Sequence, residues 1–327
     1  MSATAYPALE HIRRIAVIGT GSVGAGWAAL FLARGYEVVA HDPGAGAENA
    51  CRAFIEHAWP ALAQLDMTAD HTPPWHQLRF ADSVTAAAQA ADVVQENVPE
   101  KPALKAQVLA ELDAATPPQT LILSSTGGMP PTQLQQYCPQ HPQRLVVLHP
   151  FNPAHLMPLV EVVGGRQTDA AAIHWTLAFA RHLGKKPIHL HAEAHGHMTN
   201  RLQFALVREA VQCYLAGMAS AQDIDAAVRY GLAPRWTLMG SLLTLHLAGG
   251  SGQMQGILDH AGAAMEQWWT PTGPLALTDA VKAQLVQAGC EVSAGRSVAA
   301  WEDWRDAQLV DVLTLQAAAE QRSPQPA

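Results

Sequence analysis

Three glycines near the start of the chain, Gly19, Gly21 and Gly24, stand in G-x-G-x-x-G spacing within VIGTGSVGAGW. The run before them, RIAVIG (14–19), is apolar and β-branched, as a buried strand requires. The run after them, VGAGWAALFLARG (23–35), is a helical stretch that Gly35 closes. A second strand, EVVAHD (37–42), follows at once. Strand, glycine turn, helix and strand in that order restrict the chain to an α/β unit. In such a turn the first glycine permits the bend, the second lets a pyrophosphate approach the backbone, and the third lets the helix pack on the sheet. The helix start, with Thr20, Ser22 and Val23 beside the glycines, offers free N–H groups to phosphate. Asp42 ends the second strand, where a carboxylate accepts from both adenosine ribose hydroxyls and repels a 2'-phosphate. Pro43 and Gly44 follow, with no arginine. NAD is therefore the expected cofactor, in preference to NADP.

Alternation continues through the first half. ADVVQE (91–96), LILSS (121–125), RLVVLH (144–149) and LVEVV (159–163) read as strands, and 46–65, 103–115 and 168–183 as helices. This predicts a doubly wound Rossmann-type sheet over residues 1–192. From Gly196 onward no strand pattern is legible. NRLQFALVREAVQCYLAG (200–217) has helical period with Gly217 as a C-cap, and SAQDIDAAVRYG (220–231) opens on an N-cap serine. A smaller all-α domain is expected over 193–318, for substrate binding and dimerisation, and a disordered polar tail over 319–327.

The stretch HPFNPAHLMPLVEVV (149–163) is unlike a core strand pair, because it carries His149, Asn152 and Glu161 among apolar residues and prolines. His149 follows a strand that ends at the carboxyl edge of the sheet, where ligands bind in such folds. Oxidation of an alcohol needs a base for the hydroxyl proton, and imidazole titrates near neutrality. A carboxylate on the other ring nitrogen fixes the tautomer and stabilises the imidazolium. On the residues alone, a hydrogen-bonded loop histidine and a solvated strand-end glutamate remain the alternatives.

Several ordered motifs carry a resemblance over nearly the whole chain. They are the glycine-rich start, ENVPE (96–100), SSTGG (124–128), HPFNP (149–153), LVEVV (159–163) and GHMTNRL (196–202). Together they resemble the 3-hydroxyacyl-CoA dehydrogenase superfamily. The resemblance implies a two-domain NAD-dependent enzyme with His149 as catalytic base, Glu161 as its partner and Asn200 as a substrate contact. It also implies NAD contacts at Glu100, Lys105 and Asn152, and a homodimer through the helical domain. Two positions depart from the family pattern. Its substrate serine falls on Gly127, so Ser125 or Thr126 is left to donate, or a substrate group fills the space. The usual Phe is His197, which adds a polar group near the site.

Charge narrows the substrate. No lysine precedes Lys101, and the helix after the second strand carries only Arg52 as a base, which disfavours a polyphosphorylated CoA ester. GLAPRWTLMGSLLTLHLAGGSGQMQGILDHAG (231–262), WWT (268–270) and WRDAQLVDVL resemble the L-carnitine 3-dehydrogenase branch. That implies oxidation of a small L-3-hydroxy acid bearing a trimethylammonium group, for which aromatic faces are the natural receptor. Trp236, Trp268 and Trp269 are the cage candidates, Tyr230 a further one, and Arg235 a partner for the carboxylate. NRLQ is closer to the L-gulonate 3-dehydrogenase branch, so a polyol acid stays open, as do a CoA enzyme and a non-catalytic crystallin-like NAD-binding protein.

The net charge of -8 gives no footprint for nucleic acid or an anionic membrane surface. Cys51, Cys138, Cys213 and Cys290 form no CxxC and read as reduced thiols of a cytoplasmic protein. Four histidines crowd HLHAEAHGH (189–197), but the segment crosses from a strand into the second domain, and no metal site is expected.

Overall fold

The computed structural model describes residues 6–269 and 275–322. The chain divides into two compact units, 1–201 and 202–327. Among its described residues the first is built on eight strands: β1 (Arg14–Ile18), β2 (Glu37–His41), β3 (Leu78–Phe80), β4 (Val93–Glu96), β5 (Leu121–Ser124), β6 (Leu145–Pro150), β7 (Leu159–Gly164) and β8 (Lys186–Leu190). They lie in the order β3-β2-β1-β4-β5-β6-β7-β8, so the order reverses beside β1. All pairs are parallel except β6 with β7, which are antiparallel. Helices α1 (Ser22–Ala33), α2 (Ala47–Gln64), α3 (Val84–Ala88), α4 (Pro102–Ala115), α5 (Pro131–Gln135) and α6 (Ala170–His182) connect the strands. The expected doubly wound sheet is present. Sequence reading gave no range for β8 and missed β3, whose three residues, one of them the exposed Arg79, are too few to show a period.

Two apolar layers hold this sheet. Every residue of α1 from Gly24 to Ala33 is buried, which explains why its sequence is apolar on all sides. Trp27 stacks on Phe31 at 5.4 Å between ring centroids, and Phe31, Tyr36, Trp175 and Phe179 continue the aromatic packing toward α6. Gly35, at φ +82, ends α1: its N–H donates to Leu32 O, and that of Tyr36 to Phe31 O. The other layer centres on Ile18, Val94, Leu109, Ile122 and Val147.

The second unit is all helical among its described residues. It contains most of α7 (Thr199–Leu215), then α8 (Ala221–Ala226), a π-helical turn over Ala227–Leu232, α9 (Ala233–Trp236), α10 (Ser241–Ala248), α11 (Gln253–Trp269), α12 (Asp279–Ser293) and α13 (Val298–Gln321). The predicted caps form: Gly217 sits at φ +67, and Ser220 Oγ accepts from Asp223 N. Residues 319–321, expected in the polar tail, instead complete α13, because its last turn keeps its backbone bonds through Arg322. The rest of that tail, 323–327, and Thr270 of the WWT stretch lie outside the described residues. No helix among the described residues is long and apolar enough to cross a membrane.

Candidate active site

The carboxyl ends of β1, β4, β5 and β6 share one edge of the sheet, and the sequence motifs sit on the loops that leave it. The glycine loop follows β1. Gly19 takes φ +83, and a Cβ on Gly24 would lie 1.9 Å from Gly19 O, so backbone contact dictates that residue. Gly21 has open space where its Cβ would be, and among the described residues no side chain caps the start of α1. The first amides of that buried helix are thus left for an anion. Ser22 is exposed and Val23 half-buried beside them.

Asp42 is tied to this loop. Its Oδ2 accepts from Thr20 N at 2.8 Å and Thr20 Oγ1 at 3.3 Å, and its Oδ1 from Gly44 N at 2.9 Å. It lines two cavities. One, of about 550 Å³, runs along Ile18, Gly19, Val98 and Leu104. The other, of about 570 Å³, is lined by Asp42, Glu48 and Asp82 with no lysine or arginine, so a 2'-phosphate would meet carboxylates there. The residues present fit NAD.

The β6–β7 reversal builds the catalytic pair. Register places His149 directly opposite Glu161, and Glu161 Oε2 lies 2.9 Å from His149 Nδ1. Glu161 is fully buried, and its Oε1 also accepts from Met198 N at 3.1 Å and Thr199 N at 2.7 Å at the start of α7. Desolvation alone would raise this carboxyl. The bonds from His149 and Thr199 outweigh it and hold the carboxyl below its usual range. His149 Nδ1 therefore carries the proton toward Glu161, and Nε2 is the nitrogen left to accept one.

Around Nε2 the structure brings together Gly127, His197 and Asn200. A Cβ on Gly127 would stand 3.1 Å from Nε2 and 3.4 Å from Asn200 Nδ2, so the missing side chain leaves room at the reacting nitrogen. Asn200 Nδ2 donates to Gly127 O at 3.0 Å, and Glu100 Oε1 accepts from Gly127 N at 3.1 Å. His197 is fully buried, 5.3 Å from His149 between ring centroids, and its Nε2 donates to Thr126 O at 2.9 Å. Burial lowers its proton affinity. It holds φ +49, a conformation that costs a non-glycine residue of order 1 kcal/mol.

Three expected contacts are redirected. The Ser125 hydroxyl accepts from Trp27 Nε1 at 3.0 Å and Gln95 Nε2 at 2.8 Å and donates to Asn97 Oδ1 at 2.7 Å, so it has no capacity left for a substrate. Thr126 is buried, with Oγ1 accepting from Met129 N. Lys105 is buried beneath Glu96, donating to both its carboxylate oxygens and to Val98 O, while Ser124 Oγ adds a 2.5 Å bond to the same carboxylate. That network braces the loop after β4 from below. Asn152 is exposed beyond His149.

Sequence reasoning missed Lys185. Its side chain is buried, donates to Ala154 O at 2.6 Å and Met157 O at 2.8 Å, and so pins the loop between His149 and Glu161. Desolvation lowers its pKa to about 7. The signal available was one lysine at the mouth of a strand, which is indistinguishable from a solvated one.

In the second unit, Trp236, Trp268 and Trp269 are exposed, and Arg235 donates to Gly231 O of its own turn. Tyr230 and Trp304 already face a cation, since the Arg229 guanidinium lies 5.2 and 5.6 Å from their ring centroids. Among the described residues no three His, Cys, Asp or Glu side chains converge as a metal site.

Residues 14–194 match the family model described as 3-hydroxyacyl-CoA dehydrogenase, NAD binding domain, and residues 196–268 match 3-hydroxyacyl-CoA dehydrogenase, C-terminal domain. The chain belongs to the 3-hydroxyacyl-CoA dehydrogenase family. Its first unit is the NAD-binding domain of that family, and the protein is an oxidoreductase. Two relatives are L-carnitine dehydrogenases. That of Streptomyces coelicolor is 45% identical over 93% of this chain and 95% of its own length. That of Bacillus cereus is 41% identical over 94% and 93%. Among solved structures, an NAD+-dependent dismutase, 5-formyl-3-hydroxy-2-methylpyridine-4-carboxylic acid 5-dehydrogenase, superposes with a TM-score of 0.80 at 26% identity, covering 94% of this chain and 99% of that one.

Proposed function

We propose that this protein oxidises L-carnitine to 3-dehydrocarnitine with NAD. The observation that carries the reaction type is the buried His149–Glu161 pair at 2.9 Å on the cofactor edge of the sheet. The names of the relatives carry the substrate. His149 Nε2 accepts the hydroxyl proton of the substrate, and Glu161 accepts from Nδ1 and stabilises the imidazolium. Asn200, anchored to Gly127 O by its amide nitrogen, keeps its Oδ1 for the substrate. The Gly127 gap admits the carbon next to the alcohol. NAD, when bound, supplies the hydride acceptor, held at Gly19, Gly21 and Gly24, with Asp42 on its ribose and Glu100 and Asn152 nearer the reacting end.

The tryptophans Trp236, Trp268 and Trp269 are proposed for the cationic group, so replacing each by Leu raises KM for L-carnitine and leaves KM for NAD unchanged. The working form is proposed to be a cytoplasmic homodimer. The homodimer is supported by the large apolar side chains that the helical unit exposes, Phe204, Leu242 and Leu247 among them, and is tested by light scattering. A second reading, an L-gulonate-like acid, rests on Asn200 within NRLQ, the residues that resemble the L-gulonate 3-dehydrogenase branch.

Initial rates of NADH formation with L-carnitine, an uncharged 3-hydroxy acid and L-gulonate test the proposal. Selective turnover of L-carnitine supports it, and turnover of another acid alone overturns the substrate. H149Q is expected to abolish turnover while NADH still binds. Activity retained in that variant removes His149 as the base.

A further inference from the structure

Three consecutive peptide carbonyls of the loop after β5 are taken by one short segment. Thr126 O accepts from His197 Nε2, Gly127 O from Asn200 Nδ2 at 3.0 Å, and Gly128 O from Gly196 N at 3.3 Å. The same segment sends Met198 N and Thr199 N to Glu161. It is therefore a clasp: one side holds the Gly127 backbone, and the other holds the carboxylate that orients His149. The bond to Thr126 O is made by the side chain of a histidine at φ +49.

We propose that His197 is a positioning residue: its Nε2–H grips Thr126 O and thereby keeps the Gly127 backbone at the distance from His149 Nε2 that the substrate alcohol needs. Space filling alone does not account for it. An apolar ring would fill the same volume without burying a second nitrogen, and His197 Nδ1 is buried with no hydrogen-bond partner among the described residues. With Thr126 O accepting at Nε2, the ring is committed to one tautomer. The groups that face it are His149 from β6, Glu161 from β7 and Glu100 from the loop after β4. Burial keeps it uncharged beside a histidine that becomes positive during turnover. His197 thus orders the site without adding a charge to it.

The inference rests on His149 as the base, and its test separates the two. H197F fills the space and cannot donate. H197Q keeps a donor at the distance of Nε2. H197L is the second apolar variant should H197F fail to melt cooperatively. In H197F, kcat is expected to fall about 10- to 100-fold with KM for NAD unchanged, because displacement of a reacting group by a fraction of an ångström costs on that scale. H197Q should recover most of the loss. Hydrogen exchange in the NADH complex gives a readout that needs no substrate: the Gly127 and Met129 amides should exchange about tenfold faster in H197F and return in H197Q. Wild-type kcat and wild-type exchange in the apolar variants overturn the proposal, as does H197Q behaving like H197F in both. If the wild-type protein does not oxidise L-carnitine, the substrate reading fails, and the exchange pattern still decides for or against the clasp.

Discussion

Replacing Glu161 by Gln tests the dyad at its most informative atom. The side chain is fully buried, and its oxygens meet three N–H groups: His149 Nδ1 at 2.9 Å, Met198 N at 3.1 Å and Thr199 N at 2.7 Å. A glutamine must keep its carbonyl oxygen on the two backbone donors, since an amide there would oppose them. Its NH2 then points at His149 Nδ1 and can only donate. His149 must move its proton to Nε2, which removes the lone pair that accepts from the alcohol. Losing a charge-assisted bond to the imidazolium costs about 2–3 kcal/mol, roughly 30- to 150-fold. The wrong tautomer adds to this, and the corresponding change in serine proteases costs about 10⁴. The expected fall in kcat is therefore about 10³- to 10⁴-fold. Initial rates at saturating L-carnitine and NAD measure it, beside NADH fluorescence titration and thermal melting. Raising the pH should not restore activity, because neutral imidazole does not lose its remaining proton in water. A kcat within about threefold of wild type, or recovery at high pH, refutes the reasoning. The acid side changes too. Glu161 is held low in the folded state, so its stabilising contribution is present above the ordinary carboxylate range and lost as pH falls through its lowered value. The variant should lack that part of the acid decline in melting temperature.

Other outcomes follow from neighbouring groups. D42A should weaken NADH about 10- to 100-fold by calorimetry while melting falls by only a few degrees, and should narrow the preference for NAD over NADP. An unchanged affinity would remove Asp42 from the ribose. Lys185 has a folded pKa of about 7, far below that of an unfolded lysine, so its contribution is greatest when it is neutral and shrinks as pH falls toward 7. Between about pH 7 and 9 the wild-type protein should gain melting temperature relative to K185M, and parallel curves would show that Lys185 is charged throughout. Burial pushes the Cys51 and Cys138 thiols up to about 12. Iodoacetamide on the native protein should label the exposed Cys290 first and leave Cys51 and Cys138 untouched until unfolding, as mass spectrometry of the peptides would reveal.

What the sequence determined by itself was local. The glycine turn was legible because backbone–backbone contact within a few residues demands it, as the Gly24 approach to Gly19 O demonstrates. The end of α1 at Gly35 and the caps at Gly217 and Ser220 were legible for the same reason: donor and acceptor lie within one turn. The motifs around His149, Glu161 and Asn200 named side chains worth suspecting, and family resemblance supplied their roles. Tertiary structure decided what those side chains are free to do. Ser125 carries a hydroxyl in the right stretch, but Trp27, Gln95 and Asn97 saturate it from three separate segments. Lys105 holds a charge near the cofactor edge but spends it on Glu96. Lys185 was an ordinary letter in the chain, and His197 only a polar group expected near the site, until sheet order and the β6–β7 register brought their carbonyl acceptors, 31 and 71 residues away, within reach. Hydrogen-bond capacity is exhausted by whichever partners the fold delivers, and that delivery depends on register and strand order, which no local pattern encodes.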